Sequence, residues 1–212
     1  MSEPAPAGVA DARLASGFSA LDAAAAAGSA PDPRAAMTLA ALQLWSGDPE
    51  GYAATRERLL RWAAGSTNVT ALEWVAKLAS LDAASPPPER AAALALARRA
   101  AGSKADPEHR PWHLLALGLA EFRHGNHAAA EAALAEAARP PAGPVPWDQA
   151  LLESTAGFYR AMNLVALGQD EEARRLFNAA AGQLKPPNAD DLIAWLALRE
   201  ARARLAGAAA PP

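Results

Sequence analysis

The chain of 212 residues has a net charge of -3, so it lacks the basic surplus typical of proteins that bind nucleic acid. It contains no cysteine, which excludes disulfides, thiolate metal sites and cysteine nucleophiles. No segment approaches about 20 uninterrupted apolar residues, and the amino terminus has no positive region followed by an apolar stretch. We therefore expect a cytoplasmic protein with no membrane span, no nucleic-acid partner and no cofactor.

Helices are predicted from the amino terminus onward, after a tail at residues 1–8. The first helix covers about Val9 to Ala27 and presents apolar residues on one face. Asp32-Pro33 and Asp48-Pro49 each combine an N-cap residue with proline at the first helical position. Two further helices are therefore expected on either side of Gly47, as a first hairpin.

Two more hairpins follow in the next stretch of sequence. Asn68 or Thr70 caps a helix that continues to about residue 80, and Glu89 to Ala101 is its return helix. The segment 111–139 then contains two amphipathic helices joined by a tight turn. No clear alternation of polar and apolar residues predicts a strand.

The segment 111–139 has small residues at fixed distances from its turn glycine, Gly125. Gly118 lies seven residues upstream, and Ala130 and Ala137 lie five and twelve residues downstream. Small residues at these positions let two antiparallel helices cross closely, and Leu134 fills the space beside the crossing. This is the spacing of the tetratricopeptide repeat.

The same spacing recurs 43 residues later around Gly168, with Ala161 upstream and Ala173 and Ala180 downstream. The extra length over the usual period of about 34 residues is a proline-rich loop. The predicted fold is therefore all-α, an α-α superhelix of about four hairpins with flanking amino- and carboxy-terminal helices. The last of these is capped by Asn188. We assign residues 9–206 to one domain and 207–212 to a second tail.

The order of segments resembles the tetratricopeptide region at the carboxy-terminal end of large bacterial serine/threonine protein kinases. The resembling segments, over about residues 35–205, are GDPEGYAATRERLLRWA, NVTALEWVAKLASL, the 111–139 hairpin and FYRAMNLVALGQDEEARRLFNAA. The resemblance implies a regulatory or docking module for bacterial signalling. The chain has no glycine-rich phosphate loop and no kinase catalytic motif, so we expect no enzyme activity.

In such arrays the first helix of each hairpin lines a concave groove, where a protein or peptide partner binds. The Lys and Asn pair that grips a peptide carboxylate in some relatives is absent, and an apolar peptide or helix is the expected partner. The predicted groove residues are Met37, Leu44, Trp45, Trp112, Leu115, Leu119, Phe122, Arg123, Phe158, Met162 and Val165.

Alternatives to this groove stay open at the sequence level. One alternative is that a tight superhelix or the chain's own first or last helix fills the groove, since exposed apolar patches of that size are uncommon in monomers. Two copies associate through their apolar faces as a homo-oligomer, or the superhelix is a small-molecule sensor. His109 and His113 lie four residues apart but lack a third ligand at matching spacing, so no metal site is predicted. Trp147 is a candidate exposed contact.

Overall fold

A computed structural model describes residues 32–140, 143, 145, 147–184 and 192–208. These residues form nine helices and no strand, which confirms the all-α fold class. The predicted helix over about 9–27 and the predicted cap Asn188 lie outside the described residues. The helices are α1 (Pro33–Ser46), α2 (Pro49–Ala64), α3 (Val69–Ala79), α4 (Pro87–Gly102), α5 (Arg110–Arg123), α6 (His127–Ala137), α7 (Gln149–Ala166), α8 (Asp170–Gln183) and α9 (Leu192–Ala208).

The predicted residues Asp32, Asp48 and Asn68 cap the amino-terminal ends of α1, α2 and α3. The side chain of Asp32 accepts a hydrogen bond from the amide of Arg34, and that of Asp48 accepts one from Gly51. Asn68, rather than Thr70, caps α3. Each cap satisfies an amide that has no partner within its own helix.

Three turn glycines connect the two helices of their hairpins. Gly47, Gly125 and Gly168 have φ values of 78°, 83° and 73°, in the left-handed region that side chains with a Cβ rarely adopt. Gly47 ends α1 in this conformation, and its amide bonds back to the last turn of the helix. The spacing counted from these glycines therefore rests on a real conformational requirement.

The close crossing predicted between α5 and α6 is confirmed. A methyl group added at Gly118 would overlap the side chain of Leu134, whose own exposure is 0%. Ala130 and Ala137 are equally buried. A second close approach lies between α7 and α8, where a methyl group at Gly157 would lie 2.8 Å from the Cβ of Ala180.

In the first hairpin, Tyr52 and Arg56 lie five and nine residues after Gly47, where the 111–139 hairpin has Ala130 and Leu134. Both larger side chains are accommodated by polar contacts to the next hairpin. The buried hydroxyl of Tyr52 donates a hydrogen bond of 2.7 Å to the carbonyl of Leu78. The buried Arg56 forms an ion pair with Glu89 and donates a hydrogen bond to Ser85. These two side chains join α2 to the end of α3 and the start of α4.

The first helices of the four hairpins form a row, because α1 packs on α3, α3 on α5 and α5 on α7. Helix α9 packs on α7 and α8 at one end of this row and on α1 at the other. Five helices therefore surround the interior of the described part of the chain. The assignment to the tetratricopeptide family stays a prediction.

The charged residues of α9 do not all point outward. Arg199 and Arg202 are exposed, but Glu200 is largely buried and forms an ion pair of 2.6 Å with Arg123. Arg204 pairs with the same carboxylate at 3.0 Å. Because α9 packs against the row of first helices, the middle of its charged segment faces the interior.

Candidate binding pocket

One face of α3 carries a polar and aromatic pattern inside an otherwise apolar helix. Thr70, Glu73, Trp74 and Lys77 follow one another at helical spacing, so their side chains share one face. Glu73 and Lys77 are 2% and 3% exposed. This face is directed into the space between the first helices rather than into solvent.

The start of α5 brings a second polar group to the same space. Nδ1 of His109 lies 2.9 Å from Oδ1 of Asp106, and Nε2 of His113 lies 3.9 Å from Oδ2 of the same carboxylate. His113 is 2% exposed, whereas His109 is exposed and its ring lies 5.6 Å from that of Trp147.

These groups surround a cavity of about 480 Å³, which we call the inner pocket. Its volume lies within the range of about 300–1,000 Å³ typical of small-molecule sites. It is lined by the amino-terminal parts of α1, α5, α7 and α9 and by one face of α3. The lining residues are Arg34, Met37, Thr38, Ala41, Thr70, Glu73, Trp74, Lys77, Asp106, His109, Trp112, His113, Leu115, Trp147, Asp148, Leu151, Thr155, Leu192 and Ile193.

Glu73 and Lys77 form a buried ion pair at the wall of the inner pocket. Nζ of Lys77 lies 2.5 Å from Oε1 of Glu73, yet this oxygen has no partner in hydrogen-bond geometry among the described residues. The ammonium group also lies 4.7 Å from the ring centroids of both Trp74 and Trp112. Burial raises the pKa of Glu73 despite the opposing effect of Lys77.

The ring of His113 is buried without a hydrogen bond to another described residue, since its 3.9 Å approach to Asp106 is too long for one. Burial lowers its pKa, and the nearby carboxylate of Asp106 only partly opposes this effect. The positive charges of Lys77 and Arg110 lower the pKa further. The ring is therefore neutral in the neutral pH range and has unused hydrogen-bonding capacity.

A second polar group, which we call the closed cluster, surrounds Arg123 at the other end of α5. Arg123 donates hydrogen bonds of 2.8 Å to the carbonyls of Ser80 and Leu81 and two of 2.6 Å to Glu200. Its guanidinium also lies 5.4 Å from the ring of Tyr159. The arginine is 8% exposed, and its contacts join α5 to α9 and to the end of α3.

The predicted groove residues divide into those that line the inner pocket and those that do not. Three of the eleven line it: Met37, Trp112 and Leu115. Five others are buried outside it, namely Leu119, Phe122, Arg123, Phe158 and Met162, each at most 8% exposed. Leu44, Trp45 and Val165 are half-buried against the core clusters.

Helix α9 is the main reason that much of the predicted groove is inaccessible. It supplies Trp195, Ala197, Leu198 and Ala201 to the same buried cluster as Leu119, Phe158 and Met162. Arg199 of α9 donates a hydrogen bond to the carbonyl of Leu44 and lies over the ring of Trp45. Helix α9, the last of the described helices, therefore fills this part of the groove. The predicted helix over about 9–27 lies outside the described residues.

Glu73 and Lys77 are site residues that sequence reasoning missed. Their signal was a Glu and a Lys four residues apart, on either side of Trp74, in a helix that is otherwise mostly apolar. Trp147, predicted as an exposed contact, is half-buried in the pocket wall, and its indole N–H donates to Gln149. His109 and His113 both line the pocket, and no three His, Asp or Glu side chains of the described chain are grouped to hold a metal ion.

No helix among the described residues is both long and apolar enough to cross a membrane. In comparisons with known proteins, no family model, no curated protein and no solved structure matches the chain.

Proposed function

We propose that this protein is a non-enzymatic binding module and that the inner pocket holds a small organic molecule. The observation that carries this proposal is a cavity of about 480 Å³ that combines aromatic walls with buried ionisable side chains. Apolar cavities with a few convergent polar groups are the usual form of small-molecule sites. Buried groups with shifted pKa values, here Glu73 and His113, also concentrate at functional sites.

The covered groove favours a small ligand over a long helix or peptide. Five of the predicted contact residues lie beneath α9 or within the core, so a partner helix would have to displace α9 to reach them. The closed cluster opposes such displacement, because Arg123 would lose its bonds to Glu200. The inner pocket needs no displacement of a helix.

The test uses three probes that share a phenyl ring and a three-carbon chain: 3-phenylpropanol, 3-phenylpropionate and 3-phenylpropylamine. Binding is followed through the indole N–H resonances of the six tryptophans. We expect at least one probe to shift the signals of Trp74, Trp112 and Trp147, which line the pocket. Trp62 packs against the core outside the pocket and serves as an internal reference.

Two matched substitutions test whether these resonance shifts arise from binding in the inner pocket. Thr38→Phe places a ring at a residue of the pocket lining and should abolish the shifts. Ala128→Phe adds the same ring at an exposed position of α6 and should leave them unchanged. Absence of a shift with all three probes, or shifts that survive Thr38→Phe, would contradict the proposal.

Docking of a protein segment, as in the kinase-attached arrays that the sequence resembles, is a second proposal. It is favoured by the aromatic pair of His109 and Trp147, in which the histidine is exposed beside the pocket. Peptides selected from a displayed library should then lose affinity on Trp147→Ser and keep it on Ala128→Ser. Equal binding to both variants would exclude this pair as the contact.

A further inference from the structure

Lys77 is a buried ammonium group with only one carboxylate partner among the described residues. Its side chain is 4% exposed, and the oxygen of Glu73 that lies 2.5 Å away is outside hydrogen-bond geometry. A buried charge is costly unless it is paired and hydrogen-bonded. The remaining protons of Lys77 are therefore available to an acceptor that enters the pocket.

His113 adds a second unsatisfied group to the same wall. It is 2% exposed, lines the pocket, and is acted on by the positive charges of Lys77 and Arg110. The one carboxylate near it, Asp106, already accepts from His109 at 2.9 Å. The space beside His113 therefore combines a ring N–H that has no partner among the described residues with the positive charges of Lys77 and Arg110 and the negative charge of Asp106.

The other carboxylate of the lining is also engaged, since Asp148 caps α7 by accepting a hydrogen bond from Leu151. The rest of the lining is mainly apolar and aromatic, and includes Met37, Leu115 and Ile193. The pocket thus offers cationic and N–H groups at one place and an apolar surface around them.

We infer that the inner pocket recognises a small carboxylic acid with an apolar body, whose carboxylate is bound by Lys77 and His113. This inference rests on the proposed binding function and specifies its ligand. A protonated amine would be repelled by Lys77. A neutral alcohol would fill the apolar space but would leave the ammonium group without a second charged partner.

Glu73 competes with the ligand for Lys77. Glu73→Gln keeps the shape of the side chain, removes its charge and leaves the ammonium group to the incoming carboxylate. A purely structural role for the Glu73 and Lys77 pair would predict lower stability in this variant and no gain in affinity. The inference predicts that Glu73→Gln binds the acid several-fold more tightly than the wild type does and binds the alcohol with unchanged affinity.

The experiment is calorimetric titration of the full chain with 3-phenylpropionate, 3-phenylpropanol and 3-phenylpropylamine. We expect the acid to bind at least about tenfold more tightly than the alcohol, as for other hydrogen bonds to charged groups. The double variant Glu73→Gln with Lys77→Met leaves no unpaired charge and should remove this preference while the alcohol still binds. Circular dichroism checks that each variant is folded, and Glu73→Gln alone provides a second test.

The outcomes separate this inference from the proposed function. If the alcohol or the amine binds at least as tightly as the acid, or if the double variant keeps the preference, the inference is overturned and the pocket proposal stands. If none of the three probes binds, both are overturned. A last outcome concerns the tripeptide Ala-Ala-Phe and the same tripeptide with an amidated carboxy terminus. If only the free acid form binds more tightly than 3-phenylpropionate, the ligand is the carboxy terminus of a peptide and the inference fails.

Discussion

Two glutamates near opposite ends of α5 are each paired with a cation, yet their pKa values shift in opposite directions. Burial raises the pKa of Glu73 in the inner pocket, and Lys77 does not offset this effect. Burial would also raise the pKa of Glu200, but the hydrogen bonds and charge of Arg123 outweigh it and lower the pKa. Arg204 acts in the same direction.

The difference lies in how many hydrogen bonds each carboxylate accepts. Glu200 accepts two from Arg123 and one from Arg204, whereas Oε1 of Glu73 accepts none. A satisfied buried network holds helices together, while an unsatisfied one is costly unless another partner completes it. We therefore expect the closed cluster to stabilise the fold, whereas the inner pocket is the proposed binding site.

The largest expected effect is at the closed cluster. Arg123→Met removes one of the two cationic partners of Glu200 and leaves the carbonyls of Ser80 and Leu81 without their donor. Breaking a buried ion pair in this way costs about 3–5 kcal/mol of unfolding free energy, measured by urea denaturation. The matched variant Arg202→Met alters an exposed position of α9 and should change stability by less than about 0.5 kcal/mol.

A smaller loss is expected from Lys77→Met in the inner pocket. It leaves Glu73 buried without a cation, and we expect a loss of about 1–3 kcal/mol. The carboxyl can take up a proton, which limits the cost. Adding Glu73→Gln should restore most of the stability, whereas Glu200→Gln should not rescue Arg123→Met because two backbone carbonyls stay unpaired. Equal rescue at both sites would remove the distinction between them.

The pH dependence of stability should have opposite signs at the two glutamates. Glu200 has a lowered pKa, so its contribution is present above the ordinary value and is lost as the pH falls. Glu73 has a raised pKa, so its contribution is present below the ordinary value and is lost as the pH rises. The slopes cannot exceed about 1.4 kcal/mol per pH unit for one group.

The measurement compares the unfolding free energy of the wild type with that of Glu73→Gln and Glu200→Gln between pH 3.5 and about 6. The charged groups around Glu73, which are Lys77, Asp106 and His109, are present in both members of that comparison. Their direct contribution largely cancels in the difference. If the contributions of Glu73 and Glu200 to the unfolding free energy change with pH in the same direction, the contrast between the inner pocket and the closed cluster is contradicted.

Local features of the fold were predictable because they depend on neighbours in the sequence. Asp32 and Asp48 cap helices within three residues of themselves, and Gly118 meets Leu134 in the adjoining helix of its hairpin. The capping and crossing positions could therefore be derived from spacing alone. The all-α class followed from the same periodicity.

The position of α9 and the composition of the pocket were not predictable in this way. The contact between Arg123 and Glu200 joins residues 77 positions apart, and no local pattern encodes it. The sequence placed Arg123 in an open groove because its helical position faces inward, and inward positions are also those that α9 covers. Glu73 and Lys77 resembled an ordinary surface pair on a helix, and only their burial distinguishes them.

The smallest expected effect is at Gln43. It tests whether every buried polar side chain that lacks a hydrogen-bond partner indicates a binding site. Gln43 of α1 is 0% exposed and lies outside the pocket lining, and within the described part of the chain neither polar atom of its side-chain amide has a hydrogen-bond partner. If it is only a packing residue, Gln43→Met keeps the side-chain length, removes the unmet polar group and should stabilise the protein by about 0.5–1 kcal/mol. Gln183→Met, at an exposed position of α8, should have no measurable effect in the same denaturation assay. A loss of stability on Gln43→Met would mean that bound water satisfies the amide of Gln43. A buried polar group without a protein partner would then indicate a binding site only where a cavity lies next to it.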